Sequence, residues 1–235
     1  QQPQPVKSRI SFAPKPGAVA QNIEVRIKSK SSQPVEIRFT RDGSDPDTSS
    51  PLYEGPIKLD KTSLFRAAAF IGVERAGEVK SATYLVGRRP SLPVVSISMK
   101  PQDFEDIHLQ RTGRGRSSER PAFFEVFNPV GKREVATGFG LRLHGGAGRR
   151  GGLETKKSYR VYFRKAYGDG RLKHAIIPHA DIKDFDKLVF RANFGDGRSH
   201  GAYIRDQVIR DLHLDMGGQA SRGWYCVLLI NGTDH

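Results

Sequence analysis

Along most of this chain, hydrophobic and polar residues alternate with a period of two. That alternation predicts half-buried strands over 23–27, 35–39, 64–70 and 83–86. It returns over 93–99, 123–127, 139–143, 159–163 and 185–191, and residues 224–230 form an apolar run of buried-strand type. One segment has the helical period. Ile204, Val208 and Leu212 share a face, Ser199 is placed to cap and Gly217-Gly218 to stop, which predicts a helix over about 201–216. Residues 103–107 read as a shorter helical turn. The elements group into a loose polar lead-in over 1–8, a small β-sandwich over 9–87, a stiff basic linker with two prolines over 88–93, and an α+β part over 94–235. The fold class expected is therefore mainly β with some α.

The stretch 138–164 organises the second part. Two alternating strands flank a loop containing Gly145, Gly146, Gly148, Gly151 and Gly152, with Arg149 and Arg150, and then Lys156-Lys157. A glycine loop lets backbone N–H groups approach an anion, and a lysine entering the next strand can reach a phosphate. Protein kinases use a flexible glycine loop followed by a strand lysine. The same residues also fit a long hairpin loop whose arginines face water, because the glycine spacing follows no strict phosphate-loop pattern.

Charge sharpens this picture. The 235 residues carry a net +14. The first 87 contribute 13 cations against 9 acids and the remainder 26 against 16, so the excess lies in the second part. Basic surfaces attract phosphates, whether in nucleotides, nucleic acids, teichoic-type polymers or lipid headgroups. The cations are dispersed, with no pattern of a nucleic-acid-binding motif, which argues against nucleic acid. No apolar run approaches the roughly 18 residues that span a membrane. Cys226 is the single cysteine, which excludes an internal disulfide and a Cys-based metal site, and its apolar setting predicts an inert thiol. A hydrolase finds no G-x-S-x-G elbow. The histidines show no paired metal spacing, and His174 and His179 read as a solvated loop. The opening QQPQPVK, without Met, points to a processed terminus or a fragment. Asn231-Gly232 is a hairpin signal close to His235, so the chain is expected to be part of a longer protein.

Within the first part, the run from Thr40 to Ile57 is the most specific. With Phe39 and Arg66-Ala67-Ala68-Ala69-Phe70 it gives F-T-x-D-G-S-x-P-x-x-x-S-x-x-Y-x-G-P-I, which resembles the chitobiase/β-hexosaminidase C-terminal-type repeat over about residues 10–86. The resemblance implies an immunoglobulin-like accessory or spacer module that can contact glycans. Asp42, Asp45 and Asp47 suggest a calcium loop, but no bidentate Glu stands at the required offset, and turn capping is the better reading.

The second part resembles the N-terminal portion of the CotH family, the spore-coat-type secretory kinases. The matching segments are Glu119-Arg120 with Phe123-Phe124-Glu125, Gly140-Leu141-Arg142-Leu143-His144-Gly145, Lys156 to Phe163, residues 185–191, Tyr203-Ile204-Arg205-Asp206, and Leu229-Ile230-Asn231-Gly232. The resemblance implies the N-lobe of an atypical kinase-like fold that binds ATP with Mg or Mn and phosphorylates a coat or surface protein. It makes Lys157 or Lys156 the phosphate-contacting lysine, Arg142 and Arg149 its helpers, and Arg205 and Asp206 the helix support for that lysine. It also implies a secreted or cell-surface bacterial protein whose signal peptide has been removed. Two departures stand out: Gly146-Ala147-Gly148 replaces a polar Asn-Ser segment, and His144 replaces a common arginine. The metal-binding aspartates and adenine-stacking aromatics would follow the Asn-Gly turn, so the chain as given is expected to be inactive. The alternative is a non-catalytic surface or adhesion protein that binds acidic polymers or glycans through a basic face.

Overall fold

A computed structural model describes residues 8–178, 180–192 and 204–235. His179, Ser199 and the first residues of the helix expected over 201–216 lie outside the described residues. Residues up to Pro101, with Phe123–Ala136 and Val227–His235, form one compact unit; Gln102–Ala122 and Thr137–Cys226 form a second. The linker expected over 88–93 falls inside the first.

The first unit begins with β1 (Arg9–Ala13), β2 (Gly17–Val19), β3 (Ile23–Lys30), β4 (Glu36–Thr40), β5 (Ile57–Leu59), β6 (Ser63–Ile71), β7 (Glu74–Arg75) and β8 (Lys80–Val86). They build a sandwich. One sheet has the order β1-β3-β5 and the other β2-β8-β6-β4, with β7 paired to β6. Period-two alternation turns Val25 and Ile27 of β3 inward, onto a core that includes Phe65, Tyr84 and Leu59. The sequence named four of these strands, β3, β4, β6 and β8; it did not mark β1, and β2, β5 and β7 are only two or three residues long and carry too few positions to show a period. The Asp42-to-Asp47 loop is held by its own side chains. Asp42 accepts hydrogen bonds from the Ser44 amide and hydroxyl, and Asp47 from the Ser49 amide and hydroxyl, while Asp45 pairs with Arg66. Those bonds hold the Asp47 carboxyl below its ordinary range, Ser49 making the largest contribution.

The same unit contains β9 (Val94–Ser98), which pairs antiparallel with part of β10 (Arg120–Phe127). A buried polar seam lies between β8 and these strands. Glu125 is 1% exposed. It accepts hydrogen bonds from the Thr83 hydroxyl at 2.7 Å and from Arg133 at 2.7 Å, and Thr83 also meets the Ser96 hydroxyl at 2.8 Å. A buried carboxylate needs such partners in place of the water it has lost.

In the second unit, α1 (Pro101–Leu109) is a full helix where the sequence marked only a turn. Proline at its first position is compatible with helix because that N–H has no intrahelical partner. The unit continues with the far part of β11 (Arg133–Leu143), then β12 (Tyr159–Tyr162), β13 (Lys187–Phe190) and α2 (Arg205–Asp215), with β11, β12 and β13 paired antiparallel. The face of α2 that repeats apolar residues is exposed: Ile204, Val208 and Leu212 are 54%, 44% and 57% accessible. Among the described residues, no helix is long and apolar enough to cross a membrane.

The chain closes in the first unit with β14 (Val227–Ile230), which pairs parallel with β9, and β15 (Thr233–Asp234), which pairs antiparallel with β14. The apolar run at 224–230 thus becomes strand only from Val227. Asn231 and Gly232 have φ of 49° and 82°, the two positive values that a tight hairpin turn requires. The Asn231 carboxamide also accepts from the Met99 amide and donates to the Met99 carbonyl, extending the ladder past the end of β9.

Candidate functional site

Strands β11 and β12 carry the candidate site. The register sets Gly140 opposite Tyr162, Leu141 opposite Val161, Arg142 opposite Arg160 and Leu143 opposite Tyr159. Because strand side chains alternate, Leu141, Leu143, Tyr159 and Val161 form one face, and all four are buried. Arg142, Arg160 and Tyr162 form the other. The loop between the strands runs from His144 to Ser158 and is closed at its base by the His144 amide donating to the Ser158 carbonyl at 2.7 Å.

Three buried side chains pin this loop from inside. Arg149 donates from Nε to the Gly145 carbonyl at 2.8 Å and from its two terminal nitrogens to the carbonyls of Leu143 at 2.7 Å and Gly113 at 2.9 Å. Lys157 is 2% exposed. Its ammonium donates to the His108 carbonyl at 2.8 Å and the Gly151 carbonyl at 2.9 Å. His108 is fully buried and lies 3.1 Å from the Gly152 carbonyl through Nε2 and 2.6 Å from the Tyr159 hydroxyl through Nδ1. A carbonyl only accepts, so Nε2 carries the proton and Nδ1 accepts from Tyr159. Burial, and then the Lys157 charge, lower the His108 pKa, which keeps the ring neutral near pH 7. Burial foremost, then Arg111, also lowers the Lys157 pKa.

The six residues expected at the site therefore divide. Lys157 and Arg149 spend their donors on loop and helix carbonyls. Lys156 is exposed and makes no ion pair among the described residues. Arg205 is exposed on the first turn of α2. Asp206 accepts from Arg191 at 3.1 Å and from Arg210, four residues on, at 3.0 Å; it shares no partner with Lys157. Arg142 stays on the polar strand face, where it donates to the Tyr162 hydroxyl and lies over that ring with its guanidinium carbon 4.1 Å from the centroid.

Four further residues complete the arrangement. Glu119, whose side chain is 0% exposed, accepts from Arg164 Nε at 2.8 Å and lies 3.8 Å from Arg142. It fits there because position 140 is glycine: a Cβ on Gly140 would stand 2.5 Å from Glu119 Oε1 and 2.5 Å from the Tyr167 ring. Arg160 has its Nε buried with no hydrogen-bond partner among the described residues, as do Arg38 and Arg66 in the first unit. The His144 pKa is lowered first by burial and then by the charges of Arg160, Arg191 and Arg149, and Arg191 is itself paired with Asp206. Strand alternation alone could have paired Arg160 with Arg142. Nothing in the sequence marked Glu119 or His108 for burial.

Arg142 and Arg160 stand opposite each other on the polar strand face, and a guanidinium nitrogen without an acceptor beside a second cation is a setting that an anion would relieve. A phosphate group fits that chemistry. A divalent cation does not: among the described residues no group of three or more His, Cys, Asp or Glu could hold a metal ion. Cys226 has its thiol pushed up to about 11 by burial, which leaves it no nucleophile at neutral pH.

Compared with known proteins, residues 14–81 match the chitobiase/β-hexosaminidase C-terminal domain and residues 141–235 match the CotH kinase protein family. No curated protein and no solved structure matches the chain.

Proposed function

We propose, from a CotH domain that follows a chitobiase/β-hexosaminidase C-terminal domain, that this chain is the nucleotide-binding lobe of a secreted or cell-surface atypical protein kinase. The observation that carries the reading is Arg160, whose Nε is buried without a partner across the strand pair from Arg142. The phosphates of ATP are the ligand of choice for that position, with Lys156 free to reach the same anion from the end of the loop. The buried pins on the loop carbonyls fix the loop before ligand arrives, which lowers the entropy lost on binding. ATP supplies the phosphoryl group when bound. The protein's own contribution is to hold that group and balance its charge, which is most of what phosphoryl transfer asks of an enzyme. The Mg or Mn expected with ATP finds no ligand set among the described residues, so no step is assigned through it.

The test is a thermal-shift titration of the chain with ATP, with and without Mg²⁺ or Mn²⁺, beside Arg160→Gln. Ligand at 100 times Kd stabilises by about 2.7 kcal/mol, which raises Tm by roughly 5–10 °C for a chain of this size. Arg160→Gln should abolish the shift, and its ligand-free Tm, measured alongside, separates loss of ligand from loss of fold. A wild-type Tm that stays flat to millimolar ATP would overturn the reading and favour a non-catalytic surface protein.

A further inference from the structure

The net charge of the first 87 residues is confined to one sheet face. On β3 the outward positions are Glu24, Arg26, Lys28 and Lys30, alternating with the buried Val25 and Ile27. β1 sets Arg9 opposite Lys30, and β5 sets Lys58 opposite Glu24. This face holds five cations and one acid, and Arg26 takes that acid at 3.1 Å. The remaining positions of residues 1–87 carry eight cations and eight acids. The module's whole excess of +4 thus lies on the β1-β3-β5 face, and the rest of its surface is balanced.

Lys28, Lys30 and Lys58 are exposed and make no ion pair among the described residues. Arg9 directly opposite Lys30 is a like-charged cross-strand pair, which costs the sheet stability; Glu78, whose carboxyl is held low by Lys80 and then by Arg9, offsets only part of that charge. Alternate residues of β3 step by about 7 Å, so Arg26, Lys28 and Lys30 form a straight row, widened by Arg9 on one side and Lys58 on the other. Both the ammonium groups, as compact point charges, and the guanidinium forks of Arg9 and Arg26 suit phosphate.

We propose that the outer face of the β1-β3-β5 sheet binds a linear phosphodiester polymer that carries no bases. The row supplies charge along a line, as a flexible polyanion requires. It lacks the second component of single-strand nucleic-acid sites, because no aromatic side chain stands among its outward residues for a base to stack on. The site is distinct from the Arg160 cluster and needs no nucleotide.

Fluorescently labelled poly(glycerol phosphate) is titrated with the full chain across a salt series, beside Lys28→Gln/Lys30→Gln and Arg160→Gln, with single-stranded DNA of equal charge as comparator. Both lysines are exposed, and a melt that matches wild type confirms that the double variant folds. With four cations engaged, Arg26 being held by Glu24, log K should fall against log salt with a slope of about −2.8; the double variant should show about −1.4 and bind at least about tenfold more weakly at low salt. Arg160→Gln should bind as wild type does. Four results would overturn the proposal: no binding at low salt, unchanged binding by the double variant, loss of binding through Arg160→Gln, or tighter binding of the DNA than of the polymer.

Discussion

The ammonium of Lys157 lies 2.8 Å from the main-chain oxygen of His108, in the last turn of α1, and 2.9 Å from that of Gly151 in the loop. One side chain therefore fastens the glycine loop to the helix. Lys157→Met keeps the volume and leaves both carbonyls without their donor, at a cost of about 2–4 kcal/mol. The melting temperature should fall by roughly 5–10 °C, with or without nucleotide. A melt within about a degree of wild type would refute the fastening role.

Gly140 and Glu119 depend on each other in the same unit. An alanine Cβ at 140 would meet Glu119 Oε1 and the Tyr167 ring at 2.5 Å each, closer than van der Waals contact allows. Gly140→Ala should destabilise by about 1–3 kcal/mol. It should also loosen the Glu119–Arg164 pair, read as a change in the side-chain Nε signal of Arg164 by NMR. Equal stability of Gly140→Ala and wild type by chemical denaturation would show that the cleft is not tight.

Buried His108 and half-buried His144 give the second unit an acid sensitivity. His108 and His144 are both depressed below the ordinary value of 6.5, by burial first and by neighbouring cations next. Between the depressed folded value and 6.5, the unfolded chain binds more protons than the native one, so stability rises with pH across that window. Their contribution is complete above 6.5 and is lost as pH falls toward the folded values. Denaturation at pH 7.5 and 5.5 should show the loss, and His108→Gln, which keeps an N–H donor for Gly152, should reduce it. An undiminished pH dependence in that variant would remove His108 from the account.

In the first unit, Thr83 links β8 to two partners, donating to Glu125 and meeting Ser96. Thr83→Val preserves shape and strips the buried carboxylate of a donor, so about 1–3 kcal/mol should be lost. Glu125 retains its ion pair with Arg133. A neutral or stabilising outcome in urea would mean that water replaces the hydroxyl.

Much of the fold was legible because strand alternation is local. The runs at 139–143 and 159–163 became facing strands with their apolar residues on one side, and Asn231-Gly232 became the tight turn its residue types prescribe. α1 was read short because Pro101 and a mixed polar surface hide a helical period over nine residues. At the candidate site, the lysine pair and the glycine loop were visible. Which way each cation faces was not, since Lys156 and Lys157 differ only in the strand phase they enter and in what lies beneath them.

By itself, then, the sequence determined a mainly β chain, a first part similar to the chitobiase/β-hexosaminidase C-terminal domain, a second part similar to the CotH family, and a hairpin rich in glycine and arginine. Composition, alternation and turn chemistry are properties of neighbouring residues, and they survive without tertiary contacts. Only the tertiary structure decided that Lys157 and Arg149 serve buried carbonyls while Arg160 is left with an orphan nitrogen. Burial of a charged group depends on partners 36 to 49 residues away, Gly113 for Arg149 and His108 for Lys157, and no local pattern specifies those meetings.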